Sequence, residues 1–532
     1  MEKNNTLYQS LLASSQQYPK RPALIYMGQK ITYQSLINDV HKVAAGLIAY
    51  GVKKDDVVSV CLPNIPSAVH LLYAINQIGA IANLIHPLMK FEQMKGVMDE
   101  TKSRLLFALD SSYQEFTPLI KDGVRVIACS PVSKLNFVLK TGYFIQNRHK
   151  LKIIPNSDKI ISFYGENGYF AQDNDYKKDA FYLHSGGTTG KPKVVALSSF
   201  SVNALAANGL DILGINDTND KYMLAVLPLF HGFGLCMGMH ACLAFGACNT
   251  LMPKFQSKQV IRYLKKGQIS FLIGVPILFE ALLRNPAFKG RMLRNLHIAF
   301  VGGDFVAPSL LDRFDKHMEK YNSDARLYEG YGLTEVVTVC SVNTKQNHRK
   351  GSVGKLLPNL KMKAVDIETK KDLPPGQDGE LYITGETMMN GYRFLKDEKD
   401  QPFVQDEAGR TWIATGDYGN IDQDGYVYFR QRLKRIIKVA GINVFPNDIE
   451  GAVMDLGKVH ECAAIAIKDD KLGYAIKLFV VLDRNFQNLN IDEEIKATIQ
   501  TRCGIYAVPR QIVYQTSLPK TLVGKVDTKA LS

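Results

Sequence analysis

Two periods alternate along the chain. Short apolar runs, VVSVCL (57–62), RLLFAL (104–109), VRVIAC (124–129), AFYLHS (180–185), YMLAVL (222–227), ISFLIG (269–274) and HIAFVG (297–302), are separated by longer stretches of helical period. A run that is apolar at every position fits a strand covered on both faces, and the 3.6-residue period fits the helices that cover it. Residues 66–85, PSAVHLLYAINQIGAIANLI, show the switch in one piece, helix first and strand after. Strands separated by helices predict parallel sheets under helical layers, the α/β class. Near Lys363 the texture changes to short alternating strands with tight turns, PPGQDGELYITG and then IDQDGYVYF, which turns at Asp424-Gly425. Beyond Arg432, about 100 residues carry a helix and strands of their own (EIKATIQTRC, KLFVVL), enough to fold separately. The predicted division is 1–432 and 433–532, with no internal repeat.

Tyr222 to Pro253 contains no Asp, Glu, Lys or Arg and is long enough to span a bilayer. Pro228, His231, Gly232, Gly234, His240 and Gly246 interrupt it, so it is read as a buried strand, a loop and a core helix. Over 532 residues, 46 % hydrophobic and 22 % charged content excludes disorder, collagen and a disulfide-stapled miniprotein. Lys and Arg total 65 against 51 Asp and Glu, a net charge of +14 that suits an anionic partner. Six Lys/Arg against Asp158 concentrate +5 of this in residues 134–159, interleaved with Phe137, Tyr143 and Phe144. That segment reads as a solvated loop and helix, with a peripheral membrane contact as the functional alternative. The eight cysteines form no C-x-x-C pair and no Cys/His zinc spacing, and most lie in apolar runs, which predicts reduced core thiols. The first twenty residues lack an apolar signal-peptide core, so a cytoplasmic protein is expected.

The strongest local chemistry lies at His184-Ser-Gly-Gly-Thr-Thr-Gly-Lys-Pro-Lys193, directly after a strand. Three glycines allow close backbone approach, Ser185, Thr188 and Thr189 add hydroxyl donors, and Lys191 and Lys193 add positive charge. Together they make a phosphate cradle. Pro192 stands where a Walker A loop needs Ser or Thr, so the cradle is of another kind.

This loop resembles the phosphate loop of the adenylate-forming superfamily, which includes acyl-CoA synthetases, peptide-synthetase adenylation domains and luciferases. Further family segments follow in order: Leu227-Pro-Leu-Phe-His231, Phe300-Val-Gly-Gly-Asp304, Tyr328-Glu-Gly-Tyr-Gly-Leu-Thr-Glu335 and Gly379-Glu-Leu-Tyr-Ile-Thr-Gly385. Then come Thr415-Gly-Asp417, Arg432-Leu-Lys434, Ile437-Lys438, Gly441-Ile-Asn-Val-Phe-Pro446 and, near the end, Leu518-Pro-Lys-Thr-Leu-Val-Gly-Lys525. The resemblance implies a large α/β domain with a small β-barrel-like subdomain, followed by a mobile α+β lid. It implies that Ser185, Gly186, Gly187, Thr188, Thr189, Gly190 and Lys193 hold ATP phosphates, and that Thr188 and Glu335 hold Mg²⁺. The nucleotide would also meet Gly303, Asp304, Tyr331, Gly332 and Thr334. Asp417 would accept from the ribose hydroxyls beside Arg432. Lys525 would drive adenylation, the lid would swivel at Lys434, and Lys438 and Gly441 would border coenzyme A. His231 would lie between the acyl pocket and the pantetheine tunnel. Three positions depart from the family pattern: Gln431 for a glycine, Arg435 for an acidic residue, and Asp527 for a basic one.

The charge-free stretch after His231 would leave an amino-acid ammonium without a partner. A medium- or long-chain fatty acid is therefore expected, with room left by Gly232, Gly234, Gly238, Ala241 and Ala244. An aryl or branched acid, and a carrier protein in place of coenzyme A, remain as alternatives. A luciferase-like oxygenase and a non-catalytic module that binds nucleic acid or membrane have weaker support. The aromatic residues fit a core better than base-stacking platforms, so no nucleic-acid partner is expected.

Overall fold

The structure is a computed structural model, and the residues it describes are 2–132, 135, 137–151, 154–160, 164–165, 173–185, 193–469, 471–487, 489–521 and 526–531. The expected strands form as expected. Val57–Cys61, Ile81–Leu84, Leu105–Leu109, Arg125–Cys129 and Asp179–His184 run parallel in a seven-stranded sheet, closed at one edge by antiparallel Val194–Ser198 and Gly391–Arg393. A second, nine-stranded sheet contains the parallel strands Pro22–Tyr26, Cys248–Leu251, Tyr222–Ala225, Phe271–Gly274, Ile298–Val301 and Leu327–Gly332.

Both sheets share one apolar core with the helices Leu7–Gln17, Tyr33–Ala49 and Pro66–Gln77. All 12 residues of Pro66–Gln77 are buried, as a helix packed on several sides requires. Helices Ser257–Lys265, Pro276–Leu283 and Pro308–Lys320 cover the other face of the nine-stranded sheet, and Phe91–Thr101 and Pro118–Lys121 cover that of the seven-stranded one. The chain enters the first helix through a capping box: Thr6 and Gln9 exchange side-chain-to-backbone bonds, which satisfies two otherwise orphaned N–H groups.

The change of texture near Lys363 marks an antiparallel five-stranded sheet, Leu360–Val365, Gly379–Gly385, Phe403–Gln405, Thr411–Ile421 and Val427–Arg432. The last hundred residues build a separate core from Ile449, Val453, Leu478, Ile495 and Ile499. It packs between a three-stranded sheet (Val459–Asp469, Gly473–Leu482, Gln511–Tyr514) and the helices Pro446–Met454 and Asp492–Cys503.

Tyr222–Pro253 holds the expected strand, loop and buried helical segments, and adds a second strand, Cys248–Leu251, near its end. Among the described residues, no helix is long and apolar enough to cross a membrane. The basic segment contains the helix Phe137–Leu151, held by a hydrogen bond from Tyr143 to Asp110. Seven of the eight cysteines are buried and all are free thiols; burial pushes Cys61 and Cys242 up to about 12, which leaves them unreactive.

Because the helix Pro66–Gln77 is enclosed, Leu71→Ala is expected to cost about 2–5 kcal/mol in urea unfolding, whereas Ile48→Ala, 41 % exposed, costs about 0.5 kcal/mol or less.

Candidate active site

Chain reversals at the C-terminal ends of the two sheets gather the chemistry. The strand Asp179–His184 delivers Ser185, and the return strand begins after Lys193. The two ends clasp each other: Ser185 N–H donates to the Lys193 carbonyl at 3.0 Å, and Lys193 N–H donates to Ser185 Oγ at 3.2 Å. Gly186, Gly187, Thr188, Thr189 and Gly190 lie outside the described residues, as do Lys191 and Lys525. Lys193 Nζ donates to the Asp400 carbonyl at 3.1 Å and rests 4.3 Å over the ring of Tyr392.

On the nine-stranded sheet, Leu327–Gly332 runs into a turn of unusual tightness. Thr334–Val336 is a single 3₁₀ turn, and Val337 then adopts φ 70°, ψ −62° while Thr338 N–H bonds the Val336 carbonyl at 2.9 Å. This is a γ-turn of the strained, positive-φ kind, made by a fully buried β-branched residue. Glycine is required around it. A Cβ at Gly332 would lie 1.4 Å from the Thr338 carbonyl oxygen, and one at Gly232 would lie 1.7 Å from that of Val337. The segment carrying His231 and the segment carrying Glu335 therefore interlock through bare backbone.

The same packing corrects one expectation. Gly232 and Gly234 leave no room for an acyl tail: backbone carbonyls, of Val337 and Pro228, fill the space where their side chains would stand. Gly238 faces Ile273, whose Cδ1 would lie 3.3 Å from an added Cβ. These glycines let Phe233–His240 wind as a π-helix against the sheet, a wide turn that occurs often at functional sites. His231, at its entrance, is partly exposed, its ring 4.8 Å from that of Phe230, which is 4.5 Å from that of His86. At the far end, His240 is sealed between the Tyr73 hydroxyl (3.0 Å) and Asn203 Oδ1 (2.7 Å). Burial lowers its pKa to about 3 and keeps it neutral.

Asp417 lies opposite Arg432 in the antiparallel ladder. Its carboxylate is fully buried, 2.9 Å from Arg432 Nε, and accepts from the Tyr331 hydroxyl at 2.5 Å. The Tyr331 ring stacks on Phe429 at 5.3 Å between centroids, with 21° between planes. Beside it, Gly302 abuts the Gly330 carbonyl and Gly303 takes φ +80°, so the exposed turn through Asp304 hugs the adjoining strand. Glu335 Oε1 accepts from the Tyr392 hydroxyl at 2.7 Å, and the Glu335 carbonyl accepts from Met389 N–H at 2.8 Å. Tyr331, Gly332, Thr334, Glu335, Asp417 and Arg432 are thus brought together on a strand, a turn and one ladder.

The segment after Arg432 explains two of the three departures. Gln431 is fully buried and its Oε1 accepts from Asn447 N–H at 2.9 Å, at the start of the helix Pro446–Met454. Arg435 reaches Asn447 Oδ1 at 3.1 Å and Glu450 Oε1 at 2.7 Å. Lys434 lies exposed in the short turn between them, and Lys438 and Gly441 lie exposed on the hairpin Ile437–Val439/Ile442–Val444. Asp527 accepts from Lys529 and Ala530 N–H groups and so fastens the final turn.

Three residues near the site were assigned no role from the motifs. His184, partly buried, hydrogen-bonds Asn83 Oδ1 through Nε2 at 2.7 Å. The line continues from Asn83 Nδ2 to Ser59 Oγ, to Ser103 Oγ and to the Val57 carbonyl, which fixes its direction and makes His184 the donor. Burial lowers the His184 pKa to about 4. Tyr392 comes from sequence almost sixty residues beyond Glu335. Glu329, within the Tyr328–Glu335 motif, has no hydrogen-bond donor to its carboxyl among the described residues, and burial raises its pKa to about 8. A carboxyl raised in the folded state keeps its proton while the unfolded chain loses it, so this group withdraws stability as pH rises from about 4.5 to 8. Glu329→Gln is accordingly expected to gain stability over wild type across that window, and to match it at pH 4, in urea unfolding midpoints measured at pH 4, 6 and 8.

Comparison with known proteins places this geometry. Residues 11–393 match the family model of the AMP-binding enzyme, and 448–525 that of the AMP-binding enzyme C-terminal domain. A long-chain-fatty-acid–CoA ligase of Bacillus subtilis is 27 % identical over 99 % of this chain and 94 % of its own length. The 4-coumarate–CoA ligase CCL1 of Humulus lupulus is 28 % identical over 97 % and 91 %. The crystal structure of ATP-bound MatB from Rhodopseudomonas palustris superposes with a TM-score of 0.85 at 22 % identity, covering 100 % of this chain and 98 % of that one. The chain belongs to the AMP-binding enzymes of the adenylate-forming superfamily.

Proposed function

We propose that the protein activates a carboxylic acid with an apolar tail, a medium- or long-chain fatty acid, to an acyl-adenylate and then to a coenzyme A thioester. Residues 1–432 would carry the nucleotide and acyl sites, and 433–532 would act as the lid. The observation that carries adenylation is the buried Asp417 between Arg432 and Tyr331, on the ladder that leads to the lid. Asp417 is suited to accept from ribose hydroxyls. Arg432 would offset charge beside the phosphates, and the paired residues Ser185 and Lys193 flank the segment that would hold them.

In the first step a substrate carboxylate oxygen attacks the α-phosphorus of ATP and the bond to pyrophosphate breaks. Charge builds on the phosphoryl oxygens, where the Lys525 ammonium would stabilise it. In the second, the coenzyme thiol loses its proton, its sulfur bonds the acyl carbon, and AMP leaves with the electrons of the acyl–phosphate C–O bond. His231, beside the acyl site, would orient that attack, and Lys434, Lys438 and Gly441 would turn and border the coenzyme. Glu335 fits a Mg²⁺ role: one carboxylate oxygen accepts from Tyr392, which leaves the other for a hard cation. Among the described residues no group of three His, Cys, Asp or Glu could hold a metal; at the proposed site Thr188 and the substrate phosphates would complete the ligands of the ion. That ion would neutralise phosphate charge.

The absence of any carboxylate between Tyr222 and Pro253 supports an apolar acyl group, and the neutral His240 adds no charge there. The closed packing at Gly232, Gly234 and Gly238 favours, as second reading, an aryl or branched acid, because the space those glycines were expected to provide is filled. Exposed Leu139, Phe144 and Ile145 beside Arg148 and Lys150 support a peripheral contact with an anionic membrane face.

A panel of carboxylic acids read by AMP release is expected to give the highest kcat/KM with C8–C18 fatty acids; preference for cinnamate- or benzoate-type acids overturns the fatty-acid reading. Addition of coenzyme A, and separately of a holo-carrier protein, is expected to yield thioester only with the former. Lys525→Ala is expected to slow pyrophosphate exchange by about 10²–10³-fold while synthetic acyl-adenylate is still converted to thioester. Unchanged exchange would remove Lys525 from the first step.

A further inference from the structure

Tyr392 touches two of the groups on which the proposed reaction depends. Its hydroxyl donates to Glu335 Oε1 at 2.7 Å, the one hydrogen bond to that carboxyl among the described residues. The face of the same ring carries the Lys193 ammonium, 4.3 Å from the centroid. Lys193 makes no ion pair with a carboxylate among the described residues; its other partner is a backbone carbonyl, that of Asp400.

The ring is also held firmly. Tyr392 pairs with Val195 across the antiparallel edge of the seven-stranded sheet, two residues from Lys193. Its N–H donates to Gln401 Oε1 at 2.9 Å and its carbonyl accepts from Gln401 Nε2 at 2.8 Å, so one side-chain amide closes the edge that would otherwise stay unbonded. Next along the strand, Arg393 grips Asp179 through two nitrogens at 2.7 and 2.8 Å. Three residues earlier, Met389 N–H bonds the Glu335 carbonyl. The residue is 8 % exposed.

Left to themselves, a lysine and a glutamate at the rim of one polar site attract each other, and a direct pair would neutralise both. We infer that Tyr392 is a positioning residue: by holding Glu335 at its hydroxyl and Lys193 on its ring face, it keeps the carboxylate available to a divalent cation and the ammonium available to phosphate. The inference rests on the reading of Glu335 as the cation ligand proposed above. The two contacts use different parts of one side chain and so can be separated. Tyr392→Phe removes the donor and keeps the ring, whereas Tyr392→Leu removes both.

The test is ATP binding to the full chain by titration calorimetry, with excess EDTA and again across a MgCl₂ series. In Tyr392→Phe, affinity in EDTA is expected to stay within about twofold of wild type, while the gain on adding Mg²⁺ falls by about 10-fold, the usual cost of losing a carboxylate's supporting partner. In Tyr392→Leu, affinity in EDTA is expected to fall as well, by about 5-fold, because the ammonium loses its aromatic seat. A full Mg²⁺-dependent gain in Tyr392→Phe overturns the inference. So does an equal loss with and without metal, which marks a merely structural tyrosine. Glu335→Gln run alongside separates the two readings. If it loses the Mg²⁺-dependent gain while Tyr392→Phe keeps it, only the role of Tyr392 falls; if Glu335→Gln keeps the gain, Glu335 is not the cation ligand.

Discussion

The site depends on a place where side chains are forbidden. Val337 holds a strained positive φ, and its carbonyl oxygen stands where a Cβ of residue 232 would have to be, 1.7 Å away. The cost of a positive-φ γ-turn in a buried β-branched residue is borne by the packing on both sides of it. This contact fixes the His231 segment against the Glu335 segment. Two chain reversals far apart in sequence thereby share one frame, and the residues on them are set relative to each other without a mobile side chain between. Glycine at 232, 234 and 332 is thus a condition of the site's geometry.

A second constraint acts where the five-stranded sheet hands over to the final core. Gln431 and Arg435 flank the exposed Lys434 and both reach the start of the helix Pro446–Met454. Glu450 is buried and, besides Arg435, accepts from Ala464 N–H at 3.0 Å. Its pKa is raised by burial and drawn back by the Arg435 charge and these hydrogen bonds. A buried carboxylate is tolerable only while paired, so any swing about Lys434 must keep Arg435 and Glu450 together or provide each with another partner. Gln431 and Arg435, the two departures from the family pattern, thus tie the end of the five-stranded sheet to the helix Pro446–Met454.

Much of the fold could be read from the chain alone. The apolar runs are strands because they are buried on both faces, and the period between them is helical because one stripe of each helix meets a sheet. His240 shows where such reading stops. Nothing in the surrounding charge-free stretch marks it as more deeply buried than His231, yet it is sealed between Tyr73 and Asn203, from distant helices, while His231 stays partly open. The glycines after His231 misled for a related reason. Small residues suggest space, but whether the space is empty depends on which atoms come to fill it, and at Gly232 the filler, the Val337 carbonyl, lies about a hundred residues away.

The α/β class, the order of the strands along the chain and the family motifs are legible in the chain alone, because each is written in neighbouring residues. What those groups touch is set by the folded arrangement. It put Asp417 between Tyr331 and Arg432, closed a hydrogen-bonded line from His184 through three strands, left the Glu329 carboxyl with no hydrogen-bond donor among the described residues, and seated Lys193 and Glu335 on one tyrosine. Hydrogen bonds and desolvation act over a few ångströms, and residues that distant in sequence come so close only when the sheets have paired and the helices have covered them.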